Sequence, residues 1–226
     1  MDKITKEFKK REPWITQFTI GDTKHGGKIS FENDSRIKQF FDCFPDVHSI
    51  LDLGSLEGGQ TFQLAKHPDV HIIGVEGRQN NIEKAKFVQQ LLGLKNVEFI
   101  KADLEIDKLF PLGKFDAVFC SGLLYHLSEP WKLIQEIKET SKKLFIWTHY
   151  STENKANKIV KGFCGSWYEE GGPNEPLSGL SPKSFWVTLP SLKDMLRQYG
   201  FTNIKIIEEN PNHPNGACVT LAAWID

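Results

Sequence analysis

The sequence predicts an α/β fold: a seven-stranded, mostly parallel sheet with helices on both faces, an antiparallel C-terminal hairpin strand, and a long lid insertion after the fifth strand. Three observations carry this. From residue 48 onward, short β-branched runs alternate with amphipathic helical patterns, which is how parallel βαβ units read. A glycine turn spanning Gly54 to Gly58 follows the first run, at the edge where such sheets hold ligands. The last two runs are joined only by Glu209 to Gly216, too short for a crossover helix, so they pair antiparallel.

Taken in order, residues 1–47 precede the first strand and read as an N-terminal cap or lid segment. Their basic run from Lys3 to Arg11 reads as a solvated first helix. The domain proper is expected over 48–226, with strands at Ser49–Leu53, His71–Glu76, Val97–Lys101, Phe115–Ser121 and Lys143–His149, then Asn203–Glu208 and Ala217–Trp224. Between them, Ile82, Ala85, Val88 and Leu92 fall in one arc of a 3.6-residue wheel. A helix from Pro130 carries Leu133, Ile134 and Ile137 inward. A third is expected from Ser191 as its cap, with Asp194 in its first turn, the stripe Leu192, Met195, Leu196 and Tyr199, and Gly200 as its stop. Residues 150–189 lack strong periodicity and are far longer than an ordinary connection. They hold Phe163, Trp167, Tyr168 and Trp186, which read as a substrate lid, or else as an extra structural layer.

At 226 residues there is enough chain for one sizeable core. The net charge of -1 provides no global basic field for nucleic acid or an anionic membrane. The N-terminus, Met1 to Lys6, lacks a signal peptide's apolar core, and no apolar run reaches the ~20 residues needed to span a bilayer. Four scattered cysteines show no paired metal-ligand spacing, so free thiols, no metal and a cytoplasmic location are expected.

The turn after the first strand reads Asp52-Leu53-Gly54-Ser55-Leu56-Glu57-Gly58-Gly59. Its glycines let backbone approach a ligand that a Cβ would exclude. Leu56 stands where a dinucleotide pattern needs its second glycine, and no Gly-Lys-Ser/Thr follows for a phosphate loop. Glu76 ends the second strand, 18 residues past Gly58, where a carboxylate can accept both hydroxyls of a ribose. Asp103, in Ala102-Asp103-Leu104, ends the third strand near the expected place of an adenine amino group. Phe115-Asp116 opens the fourth strand, which ends at Cys120-Ser121-Gly122.

In series, Asp52-x-Gly54, Glu76, Asp103 and Phe115-Asp116 resemble the successive motifs of class I S-adenosylmethionine (SAM)-dependent methyltransferases, over roughly residues 45–226. Gly122 to Pro130, Gly-Leu-Leu-Tyr-His-Leu-Ser-Glu-Pro, resembles the branch with bacterial tRNA wobble-uridine carboxymethyltransferases and related small-molecule methyltransferases. The resemblance implies a Rossmann-like sheet and SAM as cofactor, leaving S-adenosylhomocysteine as product. It implies a cofactor site at Asp52, Gly54, Ser55 and Gly58 after the first strand, and at Glu76, Gly77 and Arg78 after the second. After the third and fourth strands it implies Ala102, Asp103 and Leu104, then Cys120, Ser121 and Tyr125. Leu56 replaces a common glycine, Glu76 stands where many relatives have Asp, and the N-terminal extension is shorter than in the tRNA enzymes. Those enzymes use carboxy-SAM; no dedicated carboxylate clamp is recognisable, which favours plain SAM.

Methyl transfer is an in-line displacement from a primed sulfonium, so a protein mainly positions the reactants in a dry site. A neutral hydroxyl or protonated amine acceptor also needs a base. His126 and His149, at the ends of the fourth and fifth strands, are the candidates, with Tyr125 shaping the pocket. His25, His48, His67, His71 and His213 read as surface or turn residues, with His25 also a candidate lid residue, and the adjacent Glu169 and Glu170 read as solvated loop residues or an anchor for an acceptor amine. Three functions follow: methylation of an oxygen or nitrogen on a small-molecule acceptor, tRNA wobble-uridine modification, or non-catalytic SAM binding. Neutral net charge favours the first over the second.

Overall fold

The computed structural model describes residues 2–67 and 69–226. Its main sheet comprises β4 (Ser49–Leu53), β5 (His71–Glu76), β6 (Val97–Lys101), β7 (Ala117–Ser121), β8 (Lys143–His149), β12 (Asn203–Asn210) and β13 (Cys218–Trp224). The spatial order is β12-β13-β8-β7-β4-β5-β6, with β4 to β8 parallel and β13 antiparallel to both its neighbours. This is the mostly parallel, Rossmann-like sheet that the strand pattern predicts.

Period-2 alternation in the central strands sends side chains to two cores, because helices cover both faces. On β7, Val118 and Cys120 join one core, and Ala117 and Phe119 the other. The helices α3 (Gly59–Leu64), α4 (Gln79–Leu92), α5 (Pro130–Thr140) and α6 (Leu189–Gln198) connect the strands. On α4, Ile82, Ala85 and Val88 are buried as the wheel predicts, whereas Leu92, the last residue before the Gly93 cap, is 39% exposed.

Two element starts and the content of the insertion differ most from the sequence reading. The fourth strand starts at Ala117, because Asp116 is occupied in pinning its entry: its Oδ2 accepts from the His48 and Ser49 amides. The last helix starts at Leu189 and is capped by Thr188, whose hydroxyl accepts from the Ser191 amide. Pro190 is suited to that first turn, while Ser191 Oγ accepts from the Cys164 amide. The stretch 150–189 holds an antiparallel three-stranded sheet of β9 (Lys158–Val160), β10 (Phe163–Glu169) and β11 (Lys183–Val187), in the order β11-β10-β9.

The N-terminal segment forms α1 (Lys3–Lys10), β1 (Thr16–Ile20), β2 (Thr23–Gly26), β3 (Ile29–Ser30) and α2 (Ser35–Cys43). It is tied to the glycine turn by fully buried Glu57, which accepts from the Ile15 and Thr16 amides and from Lys84 Nζ. His25 does not reach a lid position; it is buried and stacks on Phe8 at 4.7 Å. Among the described residues no helix is long and apolar enough to cross a membrane.

Candidate functional site

At the C-terminal ends of the parallel strands lies a cavity of about 810 Å³, toward the upper end of the roughly 300–1,000 Å³ usual for small-molecule sites. Gly54, with φ 77°, turns the chain out of β4, and a Cβ there would crowd Leu123 at 3.2 Å. Leu56 itself adopts a positive φ of 51°, a conformation glycine would take without strain. Ser55 borders the cavity, and its hydroxyl is buried with no partner among the described residues. Such a group is suited to a ligand's polar atom. Buried Asp52 accepts from Thr61 Oγ1 at 2.6 Å. Burial, with a contribution from neighbouring Glu76, pushes its carboxyl up to about 7.

Glu76 sits on the cavity wall at the end of β5. Its oxygens accept from the Leu56 and Arg78 amides, leaving Oε2 with acceptor capacity for a further donor. Asp103, Ala102, Leu104, Ser121 and Gly77 border the same space. These groups fit an adenosyl cofactor: Glu76 for the ribose hydroxyls, Asp103 for the base, and the Gly54–Ser55 turn for close approach. When bound, SAM supplies a methyl group already activated on a sulfonium.

Two expected cofactor residues do not reach the cavity wall. A Cβ on Gly58 would strike Phe62 at 2.6 Å, so this glycine serves helix packing. Cys120 faces a core, and burial pushes its thiol up to about 12. Arg78 borders the cavity with its charge already engaged: the guanidinium donates to the carbonyls of Gly172, Pro173, Glu175 and Ser178. It therefore holds the insertion against the end of β5. Gly77 makes room for that closure, since a Cβ there would lie 2.5 Å from Leu180 Cδ1.

The aromatic residues of the insertion divide. Phe163 is buried and Trp167 packs against the same core, so neither lines the cavity. Tyr168 and Trp186 do, stacked at 4.8 Å, and Trp186 also stacks on His149 at 5.3 Å.

The structure brings His126 and His149 each against Tyr125, with ring centroids 4.1 and 4.7 Å from it. His126 Nδ1 lies 3.0 Å from Glu170 Oε1. Glu170 also accepts from Ser178 Oγ, the Gly179 amide and Ser184 Oγ. Burial works against ionisation, yet these bonds hold the carboxyl down at about 2, so Glu170 is an anion and His126 Nδ1 carries the donated proton. His149 Nδ1 faces the carbonyl oxygens of Gly216 (2.9 Å) and Ala217 (3.3 Å), which only accept, so that nitrogen is the protonated one. Burial lowers the His149 pKa, which favours the neutral ring. In the neutral form each imidazole, with its proton on Nδ1, presents Nε2 as an acceptor, and neither Nε2 makes a hydrogen bond among the described residues. Tyr125 is no base at neutral pH: burial, then Glu170, pushes its phenol up to about 12.

Sequence reasoning missed the role of two groups. Glu170 is the partner of His126 rather than a solvated loop residue, a pairing its sequence neighbours do not signal. Arg36, from the N-terminal segment, enters the cavity wall, pairs with Asp34 at 2.6 Å and donates to Ser121 Oγ.

A family model described as a methyltransferase domain matches residues 46–170. The chain is similar to the N-terminal domain of EvdMO1, solved with SAH and D-fucose, at 33% identity, TM-score 0.91, and coverage of 100% of this chain and 98% of that one. The same domain has also been solved with SAH bound. Against EvdMO1 itself the match covers 98% of this chain and 47% of that one, at 30% identity and TM-score 0.78. A tRNA U34 carboxymethyltransferase of Campylobacter jejuni subsp. jejuni (strain 81-176) is 24% identical, over 99% of this chain and 72% of the relative. One from Sulfurimonas denitrificans is 23% identical over 70% of this chain and 50% of the relative, so the alignment spans about half of that protein.

Proposed function

The chain belongs to the methyltransferase-domain family and is a SAM-dependent methyltransferase; from that premise we propose that it methylates a hydroxyl oxygen of a small, sugar-like acceptor. The observation that carries this reading is the His126–Glu170 pair in the same cavity as Glu76. A hydroxyl must lose its proton as it attacks a methyl carbon, and His126 Nε2, with Nδ1 tied to an anion, is arranged to take it. Glu170 acts on His126, orienting the ring and stabilising the imidazolium that forms. Stacked Tyr168 and Trp186 form an apolar wall suited to the face of a sugar ring, and Trp186 Nε1 is buried without a partner among the described residues. The similar EvdMO1 domain was solved in the presence of D-fucose, an acceptor-sized deoxy sugar. The insertion is then the acceptor's cover, with its loop closing the adenosyl end.

A second reading, tRNA modification, is favoured by the names of the curated relatives. Arg36 would be the cation for a carboxylated cofactor, but it is paired with Asp34, which keeps SAM the better fit. The test is transfer of labelled methyl from SAM to deoxyhexoses and their glycosides, run beside unmodified tRNA. We expect a sugar product and a His126→Asn turnover lower by about 10²- to 10⁴-fold with SAM affinity retained. Labelled tRNA without labelled sugar, or undiminished turnover in the variant, would overturn the proposal.

A further inference from the structure

We propose that His149, His213 and Cys218 form a zinc-type transition-metal site at the acceptor end of the cavity. These residues are far apart in sequence, and register unites them. The antiparallel pairing of β8 and β13 sets Cys218 directly opposite His149, so both side chains leave the same face of the sheet. The turn between β12 and β13 folds His213 back until its ring lies 5.2 Å from that of His149. One donor atom from each of the three then falls within 4.8 Å of the others.

The donor set selects the class of ion. Two imidazole nitrogens and a sulfur suit Zn²⁺ and its transition-metal neighbours, not Mg²⁺ or Ca²⁺, which take oxygen ligands. The outer contacts are those of a ligating imidazole: His149 Nδ1 donates to the Gly216 carbonyl and leaves Nε2 for the metal. Gly216, with φ 112°, makes this contact available, and a Cβ there would lie 2.9 Å from Trp186. On His213, Nδ1 accepts a long bond of 3.2 Å from the Asn215 amide, which a metal at that nitrogen would displace.

Access also fits. His149 and His213 border the cavity while Cys218 is buried beside them. Three protein ligands opening on a ligand cavity is the pattern of a site that keeps a coordination position for a small molecule. On binding, the Cys218 S–H bond breaks, a sulfur–metal bond forms and the proton passes to solvent, with no change of oxidation state. An acceptor hydroxyl at the open position would be acidified for His126 to deprotonate; that role rests on the methyl-transfer reading, whereas metal binding does not.

Co²⁺, added to the chelator-stripped full chain, provides the test. We expect one equivalent to bind with a thiolate-to-cobalt charge-transfer band, and Zn²⁺ to displace it. Cys218→Ser should abolish the band, His213→Ala should weaken Zn²⁺ binding at least about tenfold, and Cys164→Ser should leave both unchanged. No band at one equivalent in protein that circular dichroism shows to be folded would overturn the site. So would a band that survives Cys218→Ser, or Zn²⁺ affinity unchanged in His213→Ala. SAM binding, measured on the same samples, should persist in every variant, so a failed metal site is distinguishable from a failed cofactor assignment.

Discussion

Glu170 shows what a single side chain contributes here. Its neighbour Glu169 is exposed, whereas Glu170 takes bonds from one imidazole, two hydroxyls and an amide. Its folded pKa of about 2 lies below the ordinary 4.5, so its ionised form stabilises the fold above pH 4.5, and that stabilisation is lost as pH falls toward 2. Glu170→Gln should therefore cost stability at neutral pH, and the gap from wild type should close on acidification through that window. Denaturant unfolding at several pH values measures this, and a gap independent of pH would refute it. Glu76, Asp103 and the two histidines were legible as candidates because they follow strand ends, where chain direction alone predicts the ligand edge. The pairing of Glu170 with His126 and the place of Arg36 in the cavity wall were not, because each enters the site from a segment whose path depends on distant contacts.

The insertion behaves as two pieces, and residues that look alike in sequence fall on both. Its strands β10 and β11 belong to the structural core: Phe163 and Phe185 are buried, and the Phe185 amide donates to the Leu127 carbonyl. Deleting residues 163–186 would thus remove core as well as cavity wall. The loop at 171–180 is a separate device, held by four carbonyl contacts from Arg78. Arg78→Ala should release it, speeding proteolytic cleavage between residues 171 and 180 and weakening SAM binding by about 1.5–3 kcal/mol. Limited proteolysis and calorimetry check this; an unchanged cleavage rate would show that the loop holds without Arg78. Alternation cannot reveal such division, since period 2 says which residues share a face and not which face meets a ligand.

Across the whole molecule, backbone groups of the N-terminal segment bond to a buried ion pair that joins the glycine turn to α4. Lys84 and Glu57, 4% and 0% exposed at their side chains, lie 2.9 Å apart, and Glu57 also takes the Ile15 and Thr16 amides. Removing one partner strands the other charge, so Glu57→Ala should destabilise the protein by about 3–5 kcal/mol and speed amide exchange at Ile15 and Thr16. A loss below about 1 kcal/mol with exchange unaltered would mean that the segment is anchored elsewhere. By itself, the sequence determined none of the six strands at 16–30 and 158–187, but it did determine the succession of the seven main-sheet strands and their connecting helices, the turn at Gly54 and the terminal hairpin. Those follow from periodicity, backbone freedom and link length, all of which act between near neighbours. Tertiary structure alone decided that Arg36 and Glu170 enter the cavity, that Gly58 and Cys120 do not reach its wall, and that Cys218 lies opposite His149. These are outcomes of register and packing between segments far apart in the chain; on β7 and β13, a one-residue slip would send Cys120 or Cys218 to the opposite face.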